Sequence, residues 1–158
     1  MKKIVYLLSL IFLGGCFAKP KPAIPAFNLM MLDSLTIFNT QKIPEGKPTM
    51  LVWFSPDCEH CQKETGDLLK KMDSLKSVNF YFITIEPIDR MRLFNDYFKI
   101  YKYPNITLGR DYTFSFPKHY KNMGVPYSMI FDQDKVLRAV FKGEAPADKV
   151  VQIINTLN

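Results

Sequence analysis

Met50-Leu51-Val52-Trp53-Phe54 lies just ahead of Cys58-Glu59-His60-Cys61, and this junction decides how the chain is read. The apolar run has the length of a buried strand, and Glu64, Leu68, Leu69 and Met72 behind it belong to a helix that begins at the cysteines. Two thiols three positions apart, at a strand end where a helix begins, can form and break a disulfide within one helical turn. The spacing points to redox chemistry.

The two thiols are not equivalent. Cys58 falls at or near the first helical position, where free backbone N–H groups and the positive end of the helix dipole favour a thiolate over a thiol. The thiolate is the attacking species in disulfide exchange. Cys61, one turn in, is expected to be more buried and less acidic, which suits it to resolve a mixed disulfide. Other uses of C-x-x-C fit less well. A structural zinc site needs four ligands, and beyond the pair only His60 and the distant His119 are available. Covalent haem attachment needs a histidine directly after the second cysteine, and Gln62 stands there. A structural disulfide closing so short a loop would constrain the unfolded chain little.

The start of the chain speaks of place. Lys2 and Lys3, an apolar stretch from Ile4 to Leu13 and Gly14-Gly15 make residues 1–15 an export signal, too short to be a good membrane span. Leu13-Gly14-Gly15-Cys16 resembles the bacterial lipobox, which implies cleavage before Cys16 and acylation of that cysteine. Exactly two thiols then remain to pair, in an oxidising compartment. Lys19-Pro20-Lys21-Pro22-Ala23-Ile24-Pro25 denies the chain a helix and favours an extended spacer, so residues 16–25 read as a lipidated tether. Residues 26–158 make one domain, rich in Phe, Tyr, Ile, Leu and Met and free of repeats. Without Lys2 and Lys3 the 21 basic residues fall to 19 against 15 acidic ones, a net charge of +4 instead of +6. That surplus suits a solvated surface or anionic headgroups, and an exported chain meets no nucleic acid.

Within the domain, apolar runs at 27–31 and 35–38 around Asp33-Ser34 predict a hairpin. A strand at 49–54, a helix from about 58 to 75 and a strand at 78–85 imply a right-handed parallel crossover. Met91, Phe94, Phe98 and Tyr101 predict a helix over 89–102, and Ile106-Thr107-Leu108 a short strand. Runs at 127–131 and 136–141 flank Asp132-Gln133-Asp134 as a second hairpin, and 147–157 closes as a helix.

This order, with Gly124-Val125-Pro126 feeding the second hairpin, resembles the thioredoxin superfamily, and within it the membrane-tethered TlpA/ResA-type thiol-disulfide oxidoreductases. Cys58 to Cys61, Glu64 in the pattern C-x-x-C-x-x-E, and Pro126 carry the likeness over residue 26 to the end. It implies an α/β fold with a mixed central sheet flanked by helices, an N-terminal hairpin, and an insertion before a cis-proline at Pro126. It also implies that Val125-Pro126 presents backbone to a substrate, that the substrates are protein thiols and disulfides, and that a membrane electron donor of the DsbD or CcdA kind recycles the pair.

The departures are informative. The third motif position, Pro in most TlpA/ResA-type proteins, is His60 here, a histidine as in DsbA and disulfide isomerases, and a cationic imidazole there would stabilise the Cys58 thiolate. Asp57 and Glu59 push the other way. The direction of the reaction stays open. Val52 occupies the position of the buried acid of thioredoxins, so Glu86 is the first candidate to assist proton transfer to Cys61, while Glu64 reads as a charge complementing the helix dipole. Trp53 and Phe54 read as core, and His119 as a surface residue. No cofactor is implied. The rival reading is a Sco-like copper metallochaperone using Cys58, Cys61 and a histidine, although Sco cysteines are spaced one residue wider.

Overall fold

The computed structural model describes residues 24–122 and 124–157, so Cys16, the export signal and most of the tether lie outside it. β1 (Asn28–Met31) and β2 (Ile37–Asn39) form the first hairpin, with Leu29 opposite Phe38. Asp33 holds its turn, Oδ1 accepting the N–H groups of Leu35 and Thr36 at 2.9 and 2.8 Å. β3 (Thr49–Trp53), α1 (Glu59–Lys70) and β4 (Asn79–Thr84) build the parallel crossover. α2 (Ile88–Phe98), β5 (Ile106–Arg110) and α3 (Ser115–Tyr120) follow. The hairpin of β6 (Tyr127–Phe131) and β7 (Leu137–Lys142) and the helix α4 (Ala147–Asn155) complete the chain.

The seven strands form one mixed sheet in the order β2-β1-β5-β4-β3-β6-β7. β3, β4 and β5 run parallel, while β1, β6 and β7 pair antiparallel with their neighbours. Every residue of β3 is buried, because both faces of the sheet are covered. Met50 and Val52 point into one core with Phe54, Phe80, Phe82, Leu68 of α1, Phe94 of α2 and Ile154 of α4. Leu51 and Trp53 point into the other, with Tyr81, Ile83, Met129, Phe116 of α3 and the N-terminal Ile24 and Phe27. Each fully buried large apolar side chain contributes about 1.5–3 kcal/mol. The period-two alternation of β3 therefore ties two layers to one strand.

Four details depart from the sequence reading. The helix expected to run to 75 ends at Lys70, and a single 3₁₀ turn covers Met72–Leu75. The helix expected to reach 102 stops at Phe98, because Lys99 takes a left-handed conformation (φ 53°) before a 3₁₀ turn at Ile100–Lys102. α3 carries no periodic signal at six residues, and its Pro117 is tolerated because it falls in the first turn. Ile24 packs in the second core and the Pro25 carbonyl accepts the Thr40 hydroxyl at 2.6 Å, so the packed body includes two residues that the sequence assigns to the tether.

Candidate active site

The strand that ends at Trp53 delivers the motif to one end of the sheet. Cys58 is the N-cap of α1 (φ −82°, ψ 116°): the Cys61 N–H donates to its Sγ at 3.4 Å and its carbonyl accepts the Gln62 N–H at 2.9 Å. Sulfur thus occupies the place where a side-chain oxygen ordinarily caps a helix, aimed at N–H groups that have no partner within the helix. Gln62 ties the preceding loop down, its Nε2 donating to the Pro56 carbonyl at 2.7 Å. Cys58 is partly exposed and Cys61 is 1 % exposed, and both are free thiols. Burial, then the hydrogen bond with Cys58, push the Cys61 thiol well above the usual range. The geometry gives one accessible sulfur and one enclosed sulfur a turn away.

Glu64 is the residue whose surroundings differ most from the sequence expectation. It lies in the second turn of α1, where Glu59 holds the first, and it is 2 % exposed. Its Oε1 accepts from Ser128 Oγ at 2.7 Å and its Oε2 from the Ala145 N–H at 3.2 Å. Ser128 pairs with Val52 across β3 and β6, so a carboxyl does stand over the position that Val52 leaves apolar, supplied by the helix above it. Burial raises the Glu64 pKa to about 7, against the two hydrogen bonds that lower it. Its charge also bears on Cys61. The dipole role expected for Glu64 gives way to a buried, titrating acid.

Glu86 follows β4 in a turn, its N–H bonded to Thr84 Oγ1 at 3.2 Å, and its charge acts on Arg90. Arg90 in turn forms an ion pair with Asp57, directly before the motif. His60 is 75 % exposed at its side chain, and its Nδ1 lies 2.6 Å from Glu144 Oε1. The other oxygen of Glu144 accepts from Lys63 at 2.5 Å, and the two partners hold the Glu144 carboxyl below its ordinary range. Glu144 had no signal in the sequence, since it lies 84 positions from His60 in the loop after β7.

Val125 and Pro126 lead into β6, whose Tyr127 is opposite Trp53, so they flank the strand end that carries the motif. The Val125–Pro126 bond is cis. Trp53 and Phe54 are core, Trp53 stacked on Phe116 at 4.9 Å. His119 is exposed on α3, on the opposite face of the sheet from α1, with its ring against Tyr120. Among the described residues no group of three or more His, Cys, Asp or Glu side chains is placed to hold a metal ion.

No curated protein matches the chain. Solved structures do. A secreted Mycobacterium tuberculosis disulfide oxidoreductase homologous to E. coli DsbE superposes with a TM-score of 0.69 at 18 % identity, over 83 % of this chain and 96 % of that one. A thiol:disulfide interchange protein of the thioredoxin family from Chlorobium tepidum gives 0.68 at 20 % identity, over 89 % and 97 %. StoA from Bacillus subtilis gives 0.60 at 16 % identity, over 82 % and 96 %. At these identities the likeness is one of fold. The model of the thioredoxin-like domain family matches residues 40–158, a span that takes in every strand from β3 onward and both motif cysteines, and the chain belongs to that family.

Proposed function

We propose that this protein is a thiol-disulfide oxidoreductase of protein substrates, working outside the cytoplasm from a lipid anchor at Cys16. The observation that carries the reading is the pairing of an accessible sulfur at the helix cap with an enclosed thiol one turn behind it, beside a buried acid. The solved relatives named as disulfide oxidoreductases and interchange proteins support the same activity.

In the reducing direction the Cys58 thiolate attacks a substrate disulfide. A Cys58–substrate bond forms, the substrate S–S bond breaks, and one substrate sulfur leaves as a thiolate that takes up a proton. Cys61 then gives its proton to the Glu64 carboxylate, and the resulting thiolate attacks Cys58 Sγ. The Cys58–Cys61 bond forms and the second substrate sulfur leaves. Two electrons pass from the dithiol to the substrate, and an external dithiol, in the manner of a DsbD or CcdA-like membrane donor, returns them. The oxidising direction is the same sequence reversed. Val125 and Pro126 hold the substrate backbone beside Cys58, and His60 stands in the first turn of α1 between the two cysteines. In this scheme Glu64 takes the proton-transfer role that the sequence offered to Glu86.

Trapping tests the reading. Cys61→Ser leaves the attacking sulfur without a resolving partner and is expected to accumulate mixed disulfides with substrate proteins, whereas Cys58→Ser is expected to trap none. Non-reducing electrophoresis reads the outcome, and the reverse pattern would exchange the two roles.

A further inference from the structure

The loop from Phe54 to Cys58 emerges between two neighbours. β3 pairs with β6 on one side, Trp53 opposite Tyr127, and with β4 on the other, Trp53 opposite Ile83. Val125 and Pro126 therefore flank the motif on the β6 side, and α2, which follows β4, flanks it on the other. Between α2 and the motif lies a hollow of about 170 Å³, floored by Phe94 and Phe98, with Pro56 on the motif side and Leu93 and Tyr97 on the helix rim. Leu93 and Tyr97 are 64 % and 78 % exposed, one turn apart on the same face of the helix. The charges at the mouth are spent on each other in the Asp57–Arg90 ion pair.

We infer that this hollow is a substrate subsite that accepts one large apolar side chain next to the reacting cysteine of a polypeptide. The inference rests on the oxidoreductase reading and names the substrate class for it. Three observations commit the hollow to that occupant. Its volume lies below the roughly 300 Å³ at which small-molecule pockets begin, and matches a single side chain better than a cofactor. Its walls are mainly apolar and aromatic, and of its polar members Gln62 bonds the Pro56 carbonyl while Asp57 and Arg90 pair with each other, so an apolar side chain, which displaces water from Leu93 and Tyr97, is favoured over a charged one. It is also continuous with the surface where a substrate must sit, because Pro56 and Asp57 lead directly into Cys58. An extended peptide whose backbone lies along Val125–Pro126 and whose cysteine meets Cys58 continues toward α2 on the far side.

The test is single-turnover reduction by the dithiol form of the full chain. The substrates are disulfide-linked dimers of a short peptide with one cysteine, identical except for Phe, Leu, Ser or Asp beside that cysteine. Wild type is expected to reduce the Phe and Leu peptides about tenfold faster than the Ser and Asp peptides. In Leu93→Ser/Tyr97→Ser that ratio falls to within about twofold, while Asp96→Ser, on the same helix outside the hollow, keeps it. A wild-type protein without the preference, or a double variant that retains it, overturns the subsite. So does a wild-type dimer in sedimentation that the double variant dissolves, since the face would then belong to a second copy. Bis(2-hydroxyethyl) disulfide, which has no side chain to seat, separates the two levels. If wild type reduces it without any peptide preference, only the subsite fails. If wild type reduces neither it nor any peptide, the oxidoreductase reading fails.

Discussion

Glu64 carries a cost that its two hydrogen bonds offset only in part. An acid whose pKa rises from 4.5 to about 7 on folding is held protonated by the native state across that window. The native state then binds more protons than the unfolded one, so stability is full below about pH 4.5 and falls as pH rises through about 7. The loss is about 3 kcal/mol at one pKa unit per 1.36 kcal/mol. Glu64→Gln keeps an amide able to meet Ser128 and Ala145 but cannot ionise. It is therefore expected to be up to about 3 kcal/mol more stable than wild type at pH 8 and little different near pH 4.5, and slower to resolve mixed disulfides because Cys61 loses its proton acceptor. Urea unfolding at the two pH values measures the first effect; an equal gap at both would mean that this carboxyl does not titrate with folding. The charges around Cys58 tell a similar residue-scale story. The sequence sets His60 against Asp57 and Glu59, and two of these side chains have partners in the fold, His60 in Glu144 and Asp57 in Arg90.

Elements were legible where local pattern and burial agree. β3 and the cysteine-bearing helix follow from an apolar run and a 3.6-residue spacing, and the crossover to β4 from the order of the two. What sequence could not show was long-range: the left-handed Lys99 that ends α2 without a glycine, the six-residue α3, and the loop after β7 that brings Glu144 to His60 and the Ala145 N–H to Glu64. The sheet centre hides another such contact. β1 joins β5 with Met31 opposite Gly109, and a Cβ on Gly109 would meet the Cβ of Leu29 at 2.8 Å and its Cδ1 at 2.9 Å. Leu29 is wholly buried in the second core, so any shift of its side chain is made against packed neighbours. Gly109→Ala is expected to cost about 1–3 kcal/mol as an overpacking change. Thermal unfolding checks it, and Leu29→Ala in the same background is not expected to restore the midpoint, because alanine keeps the Cβ that stands at 2.8 Å and its truncation leaves a cavity of its own.

At the scale of the whole molecule the proposed lipid anchor sets where the domain would work. The apolar stretch from Ile4 to Leu13 is half the roughly 20 residues that a spanning helix needs, and no helix among the described residues is long and apolar enough to cross a membrane. The acyl chain proposed at Cys16 would then be the anchor. Because Ile24 is already part of the core, a lipid at Cys16 would leave only residues 17–23 between anchor and domain, a span of at most roughly 20 Å at about 3 Å per residue for a Pro-rich stretch. A domain held that close to a bilayer would be well placed to exchange electrons with a membrane donor and poorly placed to roam. Net charge offers a competing attachment, since a surplus of +6, or +4 once Lys2 and Lys3 are removed, also draws a protein to anionic headgroups, but that attraction is screened within about 10 Å at 0.1 M salt and less at higher concentrations. The two therefore separate on washing. Wild type is expected to stay with membranes through 1 M salt and to leave only with detergent, whereas Cys16→Ala should be released in soluble form or remain as a heavier unprocessed precursor. Fractionation with intact mass measurement reads both, and a Cys16→Ala protein with unchanged mass and salt-resistant membrane association would remove the lipid anchor from the account.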